Sequence, residues 1–176
     1  METSGHFVCR AHFFYDQSGK VAKATYNSGH LTFLYNMQGD VMGLLDSTGT
    51  EVVKYTYDAW GRLLSKTGTM ASTLGTLNPF RYRGYVYDEE TGLYYLRSRY
   101  YNPTWGRFVN ADSVLTNNLF AYCNNNAILY SDENGTAPDK VLDKLKYPDR
   151  ERYSILTNKL TVGQFVHYLR QAADEK

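Results

Sequence analysis

One short pattern recurs along the chain and limits what it can fold into more than any other feature. A tyrosine and an Asp or Asn are followed, three or four residues later, by glycine. The units are YDQSG (15–19), YNMQG (35–39), YDAWG (57–61), the partial LDSTG (45–49), and the longer YDEETG (87–92) and YNPTWG (101–106). The Asp or Asn side chain can accept from the backbone two residues on, and glycine supplies a left-handed conformation, so each unit reads as a tight turn. Period-two segments lie between them. Leu31, Phe33 and Tyr35 share one face, as do Val53, Tyr55 and Tyr57 with Lys54, Thr56 and Asp58 opposite. That is strand periodicity. One hairpin alone is marginal, so the units must stack along a growing antiparallel sheet. Seventeen tyrosines and fourteen glycines against four prolines fit such a chain.

Several function classes are disfavoured at once. The net charge is +1, and residues 1–135 carry twelve carboxylates against eleven Lys and Arg. A nucleic-acid platform would use the tyrosines for bases and Arg81, Arg83, Arg97, Arg99 and Arg107 for phosphates, but these arginines are neutralised nearby. No apolar run approaches the ~20 residues of a membrane span. The start, METSGHFVCRAHFF, lacks a basic stretch followed by an apolar one, so no signal peptide is expected in this chain. Cys9 and Cys123 are too few for a disulfide scaffold and read as two thiols. His6 and His12 would face away from Cys9 on a strand, so no metal site is expected. His30 and His167 are isolated, and no cofactor motif is present.

The turn units resemble the YD repeats of RHS/YD-repeat proteins. NPFRYRGYVYDEETGLYYLRSRYYNPTWGRFVNAD (78–112) is similar to the RHS-repeat-associated core, and FAYCNNNAILYSDENG (120–135) resembles its end. The resemblance runs over residues 13–135. It implies a mainly β fold, an antiparallel YD-repeat ribbon or partial shell, with a core that closes one end of a hollow shell. It also implies a variable C-terminal domain, often a toxin, and self-cleavage at the core boundary by paired aspartates.

The residues of the core motif are Arg81, Tyr82, Arg83 and Gly84, then Tyr87, Asp88 and Gly92. Tyr94, Tyr95, Arg97, Arg99, Tyr100 and Tyr101 follow, then Gly106, Arg107 and Phe108. They are expected to build rather than bind, with guanidinium planes stacked on tyrosine rings. Read as one continuous strand, residues 93–101 put Tyr94, Leu96, Ser98 and Tyr100 on one face. Leu93, Tyr95, Arg97, Arg99 and Tyr101 take the other, with both faces covered. Tyr95, Tyr100, Tyr101, Trp105 and Phe108 are then expected to be mostly buried. Asp112 and Asp132 match the self-cleavage aspartates, with Gly135 the glycine of the second motif. The chain departs from the pattern in three ways. Ser113 and Glu133 replace the prolines, Leu115 replaces the first glycine, and the connection is shortened. Both aspartates are therefore expected to make side-chain-to-backbone turns instead.

After Gly135 glycine and tyrosine thin out, and residues 136–176 carry eight basic and six acidic side chains. PDKVLDKLK is expected to be a helix opening at Pro138, with Val141, Leu142 and Leu145 on one side. Thr161 and Gln164 are spaced as a capping box. Val162, Phe165, Val166 and Leu169 follow at helical spacing. Asp149, Arg150, Glu151, Arg152 and His167 can be assembled into a nuclease-like site on paper but read more simply as solvated helix faces. The organisation expected is partial repeats over 1–77, the core over 78–135 and a variable helical tail over 136–176. The functional expectation is a non-enzymatic shell or plug module of a bacterial polymorphic toxin or cell-surface protein, secreted or surface-displayed. Its partners would be the rest of a larger shell and a small immunity protein. The rivals are a self-cleaving aspartyl core and a carbohydrate- or surface-binding β-module.

Overall fold

A computed structural model of the chain describes residues 11–113 and 118–140. Six strands form one antiparallel meander: β1 (Ala11–Tyr15), β2 (Val21–Tyr26), β3 (Gly29–Tyr35), β4 (Val41–Leu45), β5 (Glu51–Tyr57) and β6 (Leu63–Thr67). A short helix α1 (Leu74–Leu77) and a 3-10 turn at Tyr82–Gly84 lead to a second antiparallel sheet. It contains β7 (Val86–Asp88), β8 (Leu93–Leu96), β9 (Arg99–Asn102) and β10 (Arg107–Phe108). The mainly β reading holds, as two sheets rather than one ribbon. A last pair joins β11 (Tyr130–Ser131) to β12 (Asp139–Lys140).

The repeat units are the turns. The Oδ1 atoms of Asp16, Asn36, Asp46 and Asp58 each accept from the backbone N–H groups two and four residues on, at 2.8–3.0 Å. The glycines close the turns with φ of 80–88°. The longer units at Asp88 and Asn102 use the same device with one extra residue. Gly61 also has a packing reason, because a Cβ there would run into the Tyr82 ring.

The period-two faces point as expected. Leu31, Phe33, Val53 and Tyr55 are buried with Val21, Ala24, Val41 and Leu44 in a first core. A second core gathers Tyr82, Tyr85, Tyr94, Leu96, Tyr101, Phe108, Tyr122 and Ala127. Tyr57 packs against both. Arg81, 1% exposed, ties them together. Its guanidinium lies 5.0 Å from the Tyr55 ring and 4.9 Å from that of Tyr87. It donates to the carbonyls of Gly75 and Asn78 and to Glu89 at 2.8 Å. A buried guanidinium is tolerable only when its donors are so occupied.

Two expectations are corrected. Residues 93–101 are not one strand: they turn at Arg97–Ser98, where Arg97 has φ 61° and Leu96 pairs with Arg99. The helix expected to open at Pro138 begins instead with β12, because Asp139 and Lys140 pair with Ser131 and Tyr130. The other helical expectations for the tail, Leu115 and the His6–Cys9 pair lie outside the described residues. Among the described residues no helix is long and apolar enough to cross a membrane.

Candidate functional site

The core motif docks on the last repeat turn through three tyrosines. The hydroxyls of Tyr82, Tyr101 and Tyr94 donate to the carbonyls of Ala59, Trp60 and Gly61 in that order, at 2.6–2.9 Å. Three successive carbonyls of one YDAWG turn are thus satisfied by side chains from outside the six-stranded sheet. Burying an uncompensated carbonyl is costly, so this docking fixes how the second sheet sits on the first. The rings also meet one another: Tyr94 lies 6.3 Å from Tyr101, which lies 4.0 Å from Tyr122. Burial raises the pKa of these phenols, and that of Tyr82 is pushed up to about 12. They stay neutral hydrogen-bond donors across the ordinary pH range.

The burial expectation holds for Tyr101 and Phe108 and fails for three others. Tyr95 and Tyr100 are exposed because the Arg97–Ser98 turn makes them a cross-strand pair on the outer face. Trp105, 65% exposed, sits in the tip of the YNPTWG turn. Arg97 and Arg107 are exposed, while Arg83 and Arg99 are buried. The Arg83 guanidinium donates to the Gln38 and Ala127 carbonyls, and its backbone N–H donates to Asp40. Gly84, Gly92 and Gly106 all have positive φ, and a Cβ on Gly106 would press on the Trp60 ring.

Asp112 and Asp132, twenty residues apart, converge on Arg99. Its Nη1 lies 2.9 Å from Asp112 Oδ2, and its Nη2 lies 3.6 Å from Asp132 Oδ2. Its Nε donates to the Gly135 carbonyl, and the Ser98 hydroxyl donates to the same oxygen. Asp132 Oδ1 accepts from the Thr136 N–H at 3.1 Å. Asp132 therefore contacts the Gly135–Thr136 peptide directly, and Asp112 is joined to it through the Arg99 guanidinium. Asp132 is buried, and Oδ2 has no hydrogen bond. Burial raises its carboxyl pKa, against the lowering effects of the Thr136 N–H and Arg99. Gly135 is required here, since a Cβ would meet the Leu96 carbonyl and the Ser98 hydroxyl. Sequence reasoning missed Ser98 as a partner of this peptide, and a serine in a strand-like run gives no signal for it.

Among curated proteins, the chain is 42% identical over 130 residues to the tRNA3(Ser)-specific nuclease WapA of Bacillus spizizenii. It is 43% identical over 130 residues to the tRNA nuclease WapA of Bacillus subtilis. Each match covers 70% of this chain and 5% of the relative, so the chain spans one-twentieth of their length. Among solved structures, TcdB2-TccC3 without its hypervariable C-terminal region matches with a TM-score of 0.56 and 27% identity. That match covers 64% of this chain and 6% of the other. The Photorhabdus luminescens Tc holotoxin pore shares the fold at 21% identity and a TM-score of 0.57, over 74% of this chain and 7% of the other. The family model of the Teneurin YD-shell matches residues 9–134, the span that holds both the repeat turns and the tyrosines docked on them. By that match, and by the turns it accounts for, the chain belongs to the Teneurin YD-shell family.

Proposed function

We propose that the chain is the end-closing structural module of a larger toxin or cell-surface shell, in a secreted or surface-displayed system, with a variable segment after residue 140. The observation that carries this reading is the docking of Tyr82, Tyr94 and Tyr101 on the carbonyls of residues 59–61. Hydroxyls and rings spent on one repeat turn are not free to hold a ligand. The reading predicts that residues 78–140 do not fold without the repeats. Expressed alone, that fragment should give the circular dichroism of an unfolded chain, whereas the full chain should melt in one transition. An independently folded 78–140 fragment would favour a self-standing binding module.

A second reading, self-cleavage, is favoured by one observation: Asp132 contacts the Gly135–Thr136 peptide, and Arg99 joins Asp112 to the same group. Carboxylate dyads work because like charges held close share a proton. Here Arg99 stands between the two and compensates both, which removes the reason to share one. The expected result is an intact 20.2 kDa species for both the wild type and Asp132→Asn. A wild-type chain cut near residue 135 beside an uncut variant would establish the enzyme reading instead.

A further inference from the structure

The two sheets differ in what they show to solvent. The outer face of the six-stranded sheet sets single apolar residues such as Phe14 among polar pairs. Lys23 pairs with Thr32, Lys54 with Thr67, and Thr56 with Ser65, and the last two hydroxyls bond at 2.7 Å. The four-stranded sheet instead carries an apolar row straight across its outer face. Val86 is the cross-strand partner of Tyr95, and Tyr95 of Tyr100, with ring centroids 5.2 Å apart. Val109 continues the row by donating its N–H to the Tyr100 carbonyl. These four side chains are 39%, 43%, 44% and 42% exposed. Apolar residues from three adjacent strands and from the position just after β10 line up as one patch, not the scatter of single residues that any surface shows.

We propose that the C-terminal segment of this same chain docks on that row through Val162, Phe165, Val166 and Leu169. Three observations support this occupant. The chain passes the row's own hairpin shortly before Lys140: the Gly135 carbonyl is held under the Arg97–Ser98 turn, one pair beyond Tyr95 and Tyr100. Thirty-six residues, 141–176, follow Lys140, and the twenty before Thr161 span up to roughly 66 Å, so reach is not limiting. The sizes are also compatible. Three strand spacings make the row about 14 Å long. The stripe from Val162 to Leu169, at the helical spacing its sequence shows, is about 10 Å and fits within that length. Exposed Arg97 and Arg107 rim the row, and Asp174 and Glu175 lie beyond the stripe, beside Arg170 and Lys176. Docking would bury aromatic surface that nothing else in the described chain covers. It goes beyond the structural reading above and stands whether or not the module closes a larger shell.

The test places a photo-crosslinking phenylalanine analogue at position 100 of the full chain, with position 14 on the other sheet as control. Phe14 is more exposed than Tyr100, at 53% against 44%. After irradiation and digestion, mass spectrometry should join position 100 to a peptide within 161–176 of the same chain, and position 14 should not join it. A Tyr95→Ser, Tyr100→Ser double variant should also speed tryptic release of the tail by about fivefold or more, since cleavage tracks the open population. Covalent dimers alone, no adduct at position 100, equal yields at positions 14 and 100, or unchanged tail cleavage would each overturn the proposal. Covalent dimers would point to a second copy as the occupant.

Discussion

Arg99→Leu is expected to cost about 3–5 kcal/mol at neutral pH, close to the whole stability of a small domain. Arg99 pairs with both carboxylates, and it also donates to the buried Gly135 carbonyl. Removing it takes the guanidinium from both carboxylates and leaves the Thr136 N–H on Asp132 and the Ser98 hydroxyl on the Gly135 carbonyl as partial offsets to their desolvation. The sign with pH follows from the same cause. An unpaired buried carboxyl has a folded pKa raised above its unfolded value. It therefore disfavours folding increasingly as pH rises and ceases to do so once pH falls below that unfolded value. The deficit should be largest near pH 7 and narrow toward about pH 4. Adding Asp112→Leu and Asp132→Leu should recover much of the loss, because an apolar trio of similar volume does not need the charges. Urea midpoints across pH check this, and a loss below about 1 kcal/mol would mean that water reaches the cluster.

What the sequence made legible was local. At Asp16, Asn36, Asp46 and Asp58 the turn is written in one side chain and one glycine, so the spacing alone located the hairpin ends. The β2–β3 turn at Asn27–Ser28 was within reach, since Asn-Ser-Gly is good chemistry for two positive φ values, but it lies outside the tyrosine–glycine frame. The Arg97–Ser98 turn was not legible. It has no Gly, Asn or Asp, and its hold is tertiary, through the carbonyls of Asn134 and Gly135, which take bonds from Ser98 and Arg99. That one missed turn reverses the facing of Tyr100 and places Arg99 inside, so the surroundings of Asp112 and Asp132 were hidden with it. Alternation tells which residues share a face only while the strand is unbroken.

Tyr101→Ala should cost about 3–5 kcal/mol and Tyr100→Ala less than about 1, although the two residues are adjacent and chemically identical. Tyr101 is fully buried between Tyr94, Phe108 and Tyr122, and its hydroxyl satisfies the Trp60 carbonyl. Truncation opens a cavity the size of a ring and orphans that carbonyl as well. Tyr100 stands on the outer face, and its contact there is one tilted pairing with Tyr95. Tyr101→Phe separates the two parts of the larger loss. It keeps the ring and removes the hydroxyl alone, so it should cost only the ~1–3 kcal/mol of an unsatisfied buried acceptor. Equal losses at positions 100 and 101 in denaturant unfolding would mean that the hairpin does not turn at Arg97–Ser98, and the facing of every residue from Leu93 to Tyr101 would have to be redrawn.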